Sequence, residues 1–551
     1  MRITLFFAGL IIVIARVCAA QTDRDLIVYG GTAGGVITAV SAAREGLSVT
    51  LLEPGSHLGG MATGGLSRTD FGKKNVIGGY PLEFYWRVGE KYDMARFGQG
   101  VAWYYEPHVG EQVFSEMLRE AKVQVLLHKR LREKDGVLKE GARVISVAME
   151  DGSIFRGKVF ADCSYEGDLM AEAGVSYTWG RESTSKYGES LAGVREHTPF
   201  HQFLVPVNGY DNEHHLLPEI STEPKGETGS ADKKVQAYNF RMILTDSPAN
   251  RLPFPKPPGY DPHQYELLAR LIAAKMEKSG KIPDLREFVL IARIPNGKAD
   301  FNNNGPFSTD YIGKSWDYPN ASYARRKQIW DDHLKYTEGF FNFLGHDPRV
   351  PKQLRDDLNN WGLPKDEFQD TNHFPHQLYI REARRMVGDF VMTQKDLQTD
   401  LTKPDAIGMG SYNSDSHNVQ RVVKADGDVE NEGDMQVPVK PYQIPYRVML
   451  PKRTEATNLL VPVCFSASHV AYSSLRMEPQ YMILGQAAGV AAAMSVRQQQ
   501  AVQDVDTKQL SQTLIKQGVV LEFRPQLPVP PSILQFFHQS VSGVKYSPEF
   551  F

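Results

Sequence analysis

Cysteine is scarce: three residues in 551. Cys18 lies in a leader-like segment, so the rest of the chain keeps only Cys163 and Cys464. That excludes a disulfide-built scaffold and a cysteine-rich metal centre. One bridge is open to the pair if the fold brings them together, and two free buried thiols otherwise. Excess charge of either sign is also lacking. Sixty-two basic side chains face 65 acidic ones, a net charge of -3 with no long basic run. No nucleic-acid partner is expected from such a balance. There is no H-E-x-x-H and no close His/Cys set with ligand spacing, so no metal site is expected. No internal repeat is visible. One apolar run stands out, "ITLFFAGLIIVIA" after Arg2, followed by "RVCAAQ". It is too short to span a bilayer comfortably. A positive start, an apolar core and small residues before a polar stretch read as a secretory signal peptide, residues 1–20, cleaved near Ala20. The rival reading is an uncleaved membrane anchor. The expectation is a secreted or periplasmic protein with no stable membrane insertion after cleavage.

What is present is ordinary globular composition, 41% hydrophobic and 23% charged, long enough for two or more domains. The first chemical signal is "IVYGGTAGGVITAVSAAREGLSVTLLEP", Ile27–Pro54. A short apolar run ends in glycine, small helix-compatible residues follow, and a second apolar run ends at Glu53. This is a βαβ unit. A G-x-G-x-x-G turn would place glycines at 30, 32 and 35, but position 32 is Thr32. Gly30 and Gly35 still supply the sharp bend and the close helix packing. Gly31, Ala33 and Gly34 keep the loop small, and the helix N-terminus offers free N–H groups to phosphate. Glu53 follows Gly30 by 23 residues, close to the spacing of an acid that holds a ribose hydroxyl.

A second glycine loop, "GSHLGGMATGGLS", follows the acid at once. It has little use in an NAD enzyme, whereas in flavoproteins such a loop runs along the pyrophosphate toward the flavin ring. "VISVAMEDGSIFRGKVFADCSYEGD" reads as a strand, a turn at Asp151-Gly152, a second strand and a polar loop. The far end, "NLLVPVCFSASHVAYSSLRMEPQYMILGQAAGVAAAM", reads as a strand, a turn and a small-residue helix starting near Ser474–Glu478, with Pro479 in an early position.

In combination, "GGTxxG", "LGGM", "SYEGDL", "YIREARR" and "LRMEPQYMILGQAAG" resemble a family of FAD-dependent oxidoreductases, distantly similar to the fumarate-reductase flavoprotein group. The resemblance spans nearly the whole chain after the leader. It implies an α/β fold with a doubly wound, glutathione-reductase-like FAD-binding domain in two pieces, 21–174 and 441–500. Residues 175–440 would form an inserted mixed α+β substrate or cap domain, and 501–551 a C-terminal helix and surface strap. It implies FAD as cofactor, an expectation resting on two groups of positions. The loops supply Gly30, Gly31, Thr32, Ala33, Gly34, Gly35, Glu53, Gly59, Gly60 and Met61. The later segments supply Asp162, Gly167, Asp168, Ser474, Leu475 and Arg476.

Flavin carries the redox chemistry, and the protein must bind it, orient it and move protons. The richest polar stretch is "HFPHQLYIREARRMVGD", with His373 and His376 ahead of a helix or strand bearing Arg381, Glu382, Arg384 and Arg385. Arg381 or Arg385 suits a carboxylate or developing enolate, or a structural ion pair. His469 precedes the flavin-facing helix and is a candidate base, as is His376. Asp415 and His417 stand two apart, on one face of an extended chain, as base and orienter or as turn caps. His57 beside "LGG" either cradles FAD or attaches it covalently.

The function expected is oxidation of a small polar hydroxylated substrate, a sugar or hydroxy acid, by an exported enzyme. The electron acceptor, oxygen or a carrier, stays open. Rival readings are an amine oxidase, a monooxygenase needing NAD(P)H or a reductase partner, and a colourless carbohydrate-binding or lyase module on a flavin fold. No W-x-W-x-I-P halogenase signature occurs.

Overall fold

The computed structural model describes residues 23–94 and 100–524. The leader and nearly all of the C-terminal strap lie outside them. Among the described residues no helix is long and apolar enough to cross a membrane.

Six strands form most of the main sheet: β1 (Arg24–Tyr29), β2 (Val49–Leu52), β3 (Gln124–Leu126), β4 (Val137–Glu140), β5 (Arg143–Ala148) and β6 (Ile154–Asp162). The last four residues of β1 are buried without alternation, as suits a central strand covered on both faces. β1 lies between β2 and β6, parallel to both, and β3 extends the sheet beyond β2. Leu459–Leu460 pairs in parallel with Phe160 and Ala161 of β6, so the chain returns almost 300 residues later to complete the sheet. The first half of β6 instead pairs antiparallel with β5, and β5 with β4. β6 therefore joins a three-stranded meander to a parallel sheet.

The helix α1 (Ala33–Arg44) follows β1 across the glycine loop. Helix Glu478–Gln498 lies directly against it. A Cβ on Gly485 would stand 2.3 Å from the Gly34 carbonyl oxygen, and the Ser41 hydroxyl donates to the Gln486 carbonyl at 2.8 Å. Small residues are required there because the two backbones touch.

The inserted region is mixed α+β. Met242–Thr245, Lys298–Asn303 and Val289–Ile294 form an antiparallel sheet, beside helices Glu266–Ser279 and Tyr323–His346. Tyr336, Phe340 and Phe343 are buried along one face of the longer helix, and Phe341 is buried on another. A ribbon of Ser414–Ser416 with Met435–Val437 leads back toward the flavin-binding fold. Cys163 and Cys464 are both buried and free, so the open choice between bridge and thiols resolves to thiols.

Two local expectations need correction. "YIREARR" is neither a helix nor a long strand; Tyr379 makes a single bridge to Asn239, and Arg385–Met386 pairs with Tyr177–Thr178. His469 does not precede the long helix directly. It opens its own helix, His469–Leu475, and the chain bends at Arg476 before Glu478–Gln498 begins.

Candidate active site

Thr32 is the N-cap of α1. Its hydroxyl accepts from the Gly35 N–H at 3.1 Å and donates to the Cys163 carbonyl at 2.8 Å. The side chain that replaces the middle glycine therefore turns inward. A Cβ at Gly35 would lie 1.9 Å from the Gly30 carbonyl oxygen, so that position admits only glycine. The second loop sits on the first: Gly59 N–H donates to the Gly31 carbonyl at 2.7 Å. Glu53 braces both, accepting from the Gly31 N–H and the Gly55 N–H at 2.6 Å each. Burial pushes its carboxyl up to about 7 in spite of those two donors.

The end of β6 meets the Glu478 helix. Met61 N–H donates to the Tyr165 oxygen at 2.9 Å, and the Tyr165 hydroxyl donates to Glu478 Oε1 at 2.6 Å. Burial pushes Glu478 up to about 8. Two residues on, Gln480 is fully buried, and neither its Nε2 nor its Oε1 has a partner. Buried amides are almost always paired, so an orphan at a helix N-terminus marks a ligand's place. One donor and one acceptor suit the polar edge of a flavin ring. With the two interlocked glycine loops, these residues fit FAD.

A second buried network lies around the Arg476 bend. Arg476 reaches the Tyr379 hydroxyl at 3.1 Å and Asp415 Oδ2 at 3.2 Å. Arg381 pairs with Asp310 Oδ1 at 2.9 Å and donates to Asn239 Oδ1 at 3.0 Å. Both guanidinium groups stand over the Tyr379 ring, at 4.7 Å for Arg381 and 5.7 Å for Arg476. Asp310 Oδ2 lies 2.7 Å from His417 Nδ1. Against the pull of burial, Arg381 and His417 hold Asp310 down at about 2. Burial and Arg381 lower His417 to about 4, with Asp310 opposing them. At neutral pH an ionised Asp310 thus faces a neutral imidazole, which assigns the proton to Nδ1 and the lone pair to Nε2. Asp415 Oδ2 lies 3.8 Å from Nε2, too far to hydrogen-bond. The orienter of His417 is therefore Asp310, not Asp415.

The other expected residues fall elsewhere. His469 Nδ1 lies 2.7 Å from Glu382 Oε2, and Glu382 Oε1 lies 2.8 Å from Arg385 Nε. His469 N–H also donates to Glu182, which pairs with Arg385. His469 thus belongs to a carboxylate–arginine lattice, and Gln236 connects it to the His417 site. That amide donates to Glu382 at 3.1 Å and accepts from the His417 N–H at 3.1 Å.

His376 stacks on His57, ring centroids 3.9 Å apart, with both nitrogens unpartnered. Burial lowers it to about 3. His57 in turn faces Glu111 at 3.3 Å and Asp370 at 2.9 Å, which raise it above the usual histidine value. His373 contacts the Glu367 carbonyl at 3.1 Å. The sequence cluster of His373, His376 and Arg381 is thereby divided, with His376 against His57 of the second glycine loop, His373 at the Glu367 carbonyl and Arg381 beside Asp310.

The carboxylates of Asp162 and Asp168 are engaged within the protein. Asp162 accepts from Ser164 and from the Met170 N–H, closing the turn after β6. Asp168 pairs with Arg326 at 2.8 Å and Arg384 at 2.6 Å. Gly167, with φ +69°, opens the short helix behind them. Ser474 donates to the Tyr412 carbonyl at 2.5 Å, and Leu475 is fully buried.

Glu106, His108 and Glu367 bring three ligand-type atoms within 4.8 Å of one another. The Lys298 ammonium, 2.6 and 2.7 Å from the two glutamates, supplies the positive charge there.

The model of the FAD dependent oxidoreductase family matches residues 25–514, and the chain belongs to that family. It is an FAD-dependent enzyme of the oxidoreductase class. Solved structures match at low identity and low TM-score. A flavin-dependent brominase, Bmp2 in a triple-mutant form, is 12% identical with TM-score 0.32, covering 89% of this chain and 84% of that one. The OxyS anhydrotetracycline hydroxylase from Streptomyces rimosus is 13% identical with TM-score 0.21, covering 33% of this chain and 41% of the hydroxylase. The match thus spans about two fifths of that hydroxylase's length. THI4 of Thermovibrio ammonificans is 15% identical with TM-score 0.21, covering 29% of this chain and 66% of that one. No curated protein matches.

Proposed function

We propose that this enzyme oxidises a small polar hydroxylated substrate, a sugar or a hydroxy acid. One observation carries the reading: His417, oriented by ionised Asp310, presents an unprotonated Nε2 beside two buried arginines. An alcohol loses a proton from oxygen and a hydride from carbon as it becomes a carbonyl. FAD, when bound, supplies the two-electron acceptor for that hydride. His417 Nε2 takes the hydroxyl proton, and Asp310 stabilises the imidazolium that forms. The Nε groups of Arg381 and Arg476 are buried without partners and can hold the substrate oxygen as charge develops on it.

The test is anaerobic mixing of the holoenzyme with panels of sugars, hydroxy acids and amines while flavin absorbance is followed. Bleaching by sugars or hydroxy acids supports the reading. Bleaching by amines alone, or by NAD(P)H alone, overturns it.

Export belongs to the same reading and rests on the leader-like start of the sequence. N-terminal sequencing of the native protein should begin near Gln21. A cytosolic chain beginning at Met1 would reject export.

A further inference from the structure

We infer that a separate cleft on the inserted region binds the remaining rings of a neutral oligosaccharide. This deepens the hydroxyl reading above and rests on it for the reaction, though not for the binding. The cleft encloses about 670 Å³ and has Trp179, Tyr311 and Trp316 in its walls. Sugar rings present C–H faces that pack on aromatic rings, and hydroxyls that need both donors and acceptors. The lining combines aromatic rings with charged donors and acceptors. Lys233 Nζ and Lys234 Nζ stand over the Trp179 and Trp316 rings at 4.3 and 4.4 Å. Lys234 also lies 3.1 Å from Glu223. Four basic and four acidic side chains line the cleft, so an ionic ligand meets no net field of either sign. Neutral hydroxyls find donors and acceptors together.

The cleft shares backbone with the proposed base. Tyr311 follows Asp310 in the chain. Trp316 Nε1 donates to the Val419 carbonyl at 2.9 Å, two residues past His417. Lys234 Nζ donates to Gln420 Oε1 at 2.9 Å. A saccharide chain held on the tryptophans thus lies against the two segments that carry Asp310 and His417.

The test is calorimetry on the holoenzyme with linear glucose, xylose and mannose tetrasaccharides and with tetragalacturonate. At least one neutral tetrasaccharide should bind. Trp179→Ala should weaken it ~10-fold, the order of one aromatic packing contact. Trp179→Ala should leave monosaccharide-driven flavin reduction unchanged, because Trp179 touches neither His417 nor Asp310. Lys233→Ala gives a milder second variant should Trp179→Ala fail to fold; its loss of affinity supports the cleft in the same way. The inference is overturned if no neutral tetrasaccharide binds, if tetragalacturonate alone binds, or if both variants bind like the parent. Calorimetry needs no turnover. Binding without any sugar-driven bleaching would sink the reaction reading and leave the cleft standing.

Discussion

The Thr32 hydroxyl donates to the Cys163 carbonyl oxygen at 2.8 Å, tying the glycine loop to the end of β6 across 131 residues. The same oxygen caps α1 through the Gly35 N–H. Thr32→Ala should cost ~1–3 kcal/mol, combining a lost cap with a lost buried hydrogen bond. Thr32→Ser should stay near the parent. Thr32→Gly restores the glycine fingerprint yet should bind FAD no more tightly, since the Thr32 side chain faces the protein. Chemical denaturation and flavin fluorescence check both. Parental stability in Thr32→Ala would refute the structural role.

Glu53 braces Gly31 and Gly55 in this structure and stands where the fold places a ribose-binding acid. Glu53→Ala should weaken FAD binding by ~1.5–3 kcal/mol, the range for a hydrogen bond to a charged group. Glu53→Gln keeps an acceptor oxygen and should lose less. FAD titration of the apoprotein measures both. Unchanged affinity in Glu53→Ala would remove Glu53 from the cofactor site.

The strand–loop–helix–strand start was legible in the sequence because its signals are local: glycines, small residues and an acid at fixed spacing. The inward role of Thr32 was equally local, an N-cap three residues before Gly35, and was there to be read. The second network was not. His417 has an acid two residues away, but its partner Asp310 is 107 residues distant, and no periodic pattern announces such a pair. His373 and His376 are close to Arg381 in sequence yet part from it in space. The chain reaches His373 through positive φ at Phe368, Asn372 and His373 itself, without a glycine to mark the turn. Gln480 could have been noticed, as a polar residue at the start of an otherwise small and apolar helix.

Gly485 offers a test of the helix contact. A methyl group there would stand 2.3 Å from the Gly34 carbonyl oxygen, which is backbone and cannot swing aside. Gly485→Ala gains helix propensity of ~1 kcal/mol but should still destabilise the protein. Overpacking of ~1–3 kcal/mol, with α1 displaced, outweighs that gain. Because α1 begins at the glycine loop, FAD affinity should fall together with stability. A more stable Gly485→Ala protein would show that the two helices do not meet this closely.

The Asp310–His417 pair makes the sharpest kinetic prediction. A base must be unprotonated to act, and burial with Arg381 lowers His417 to about 4, against ~6.5 for a free imidazole. Substrate-driven flavin reduction should therefore be flat through neutral pH and fall as pH drops through about 4. The stability linkage runs the same way. A depressed folded value means that the unfolded chain binds the extra proton first, so this contribution is present above ~6.5 and is lost as pH falls toward 4. His417→Ala should slow reduction by ~10²–10⁴-fold. Asp310→Asn removes the charge that stabilises the imidazolium and should approach that loss. Asp415→Asn should do far less, because Asp415 stands 3.8 Å from Nε2 and is turned to Arg476. Stopped-flow reduction measured across pH in all three variants, with FAD occupancy checked in each, decides the matter. Equal losses in Asp310→Asn and Asp415→Asn, or an acid limb that survives His417→Ala, would return the role of base to an open question.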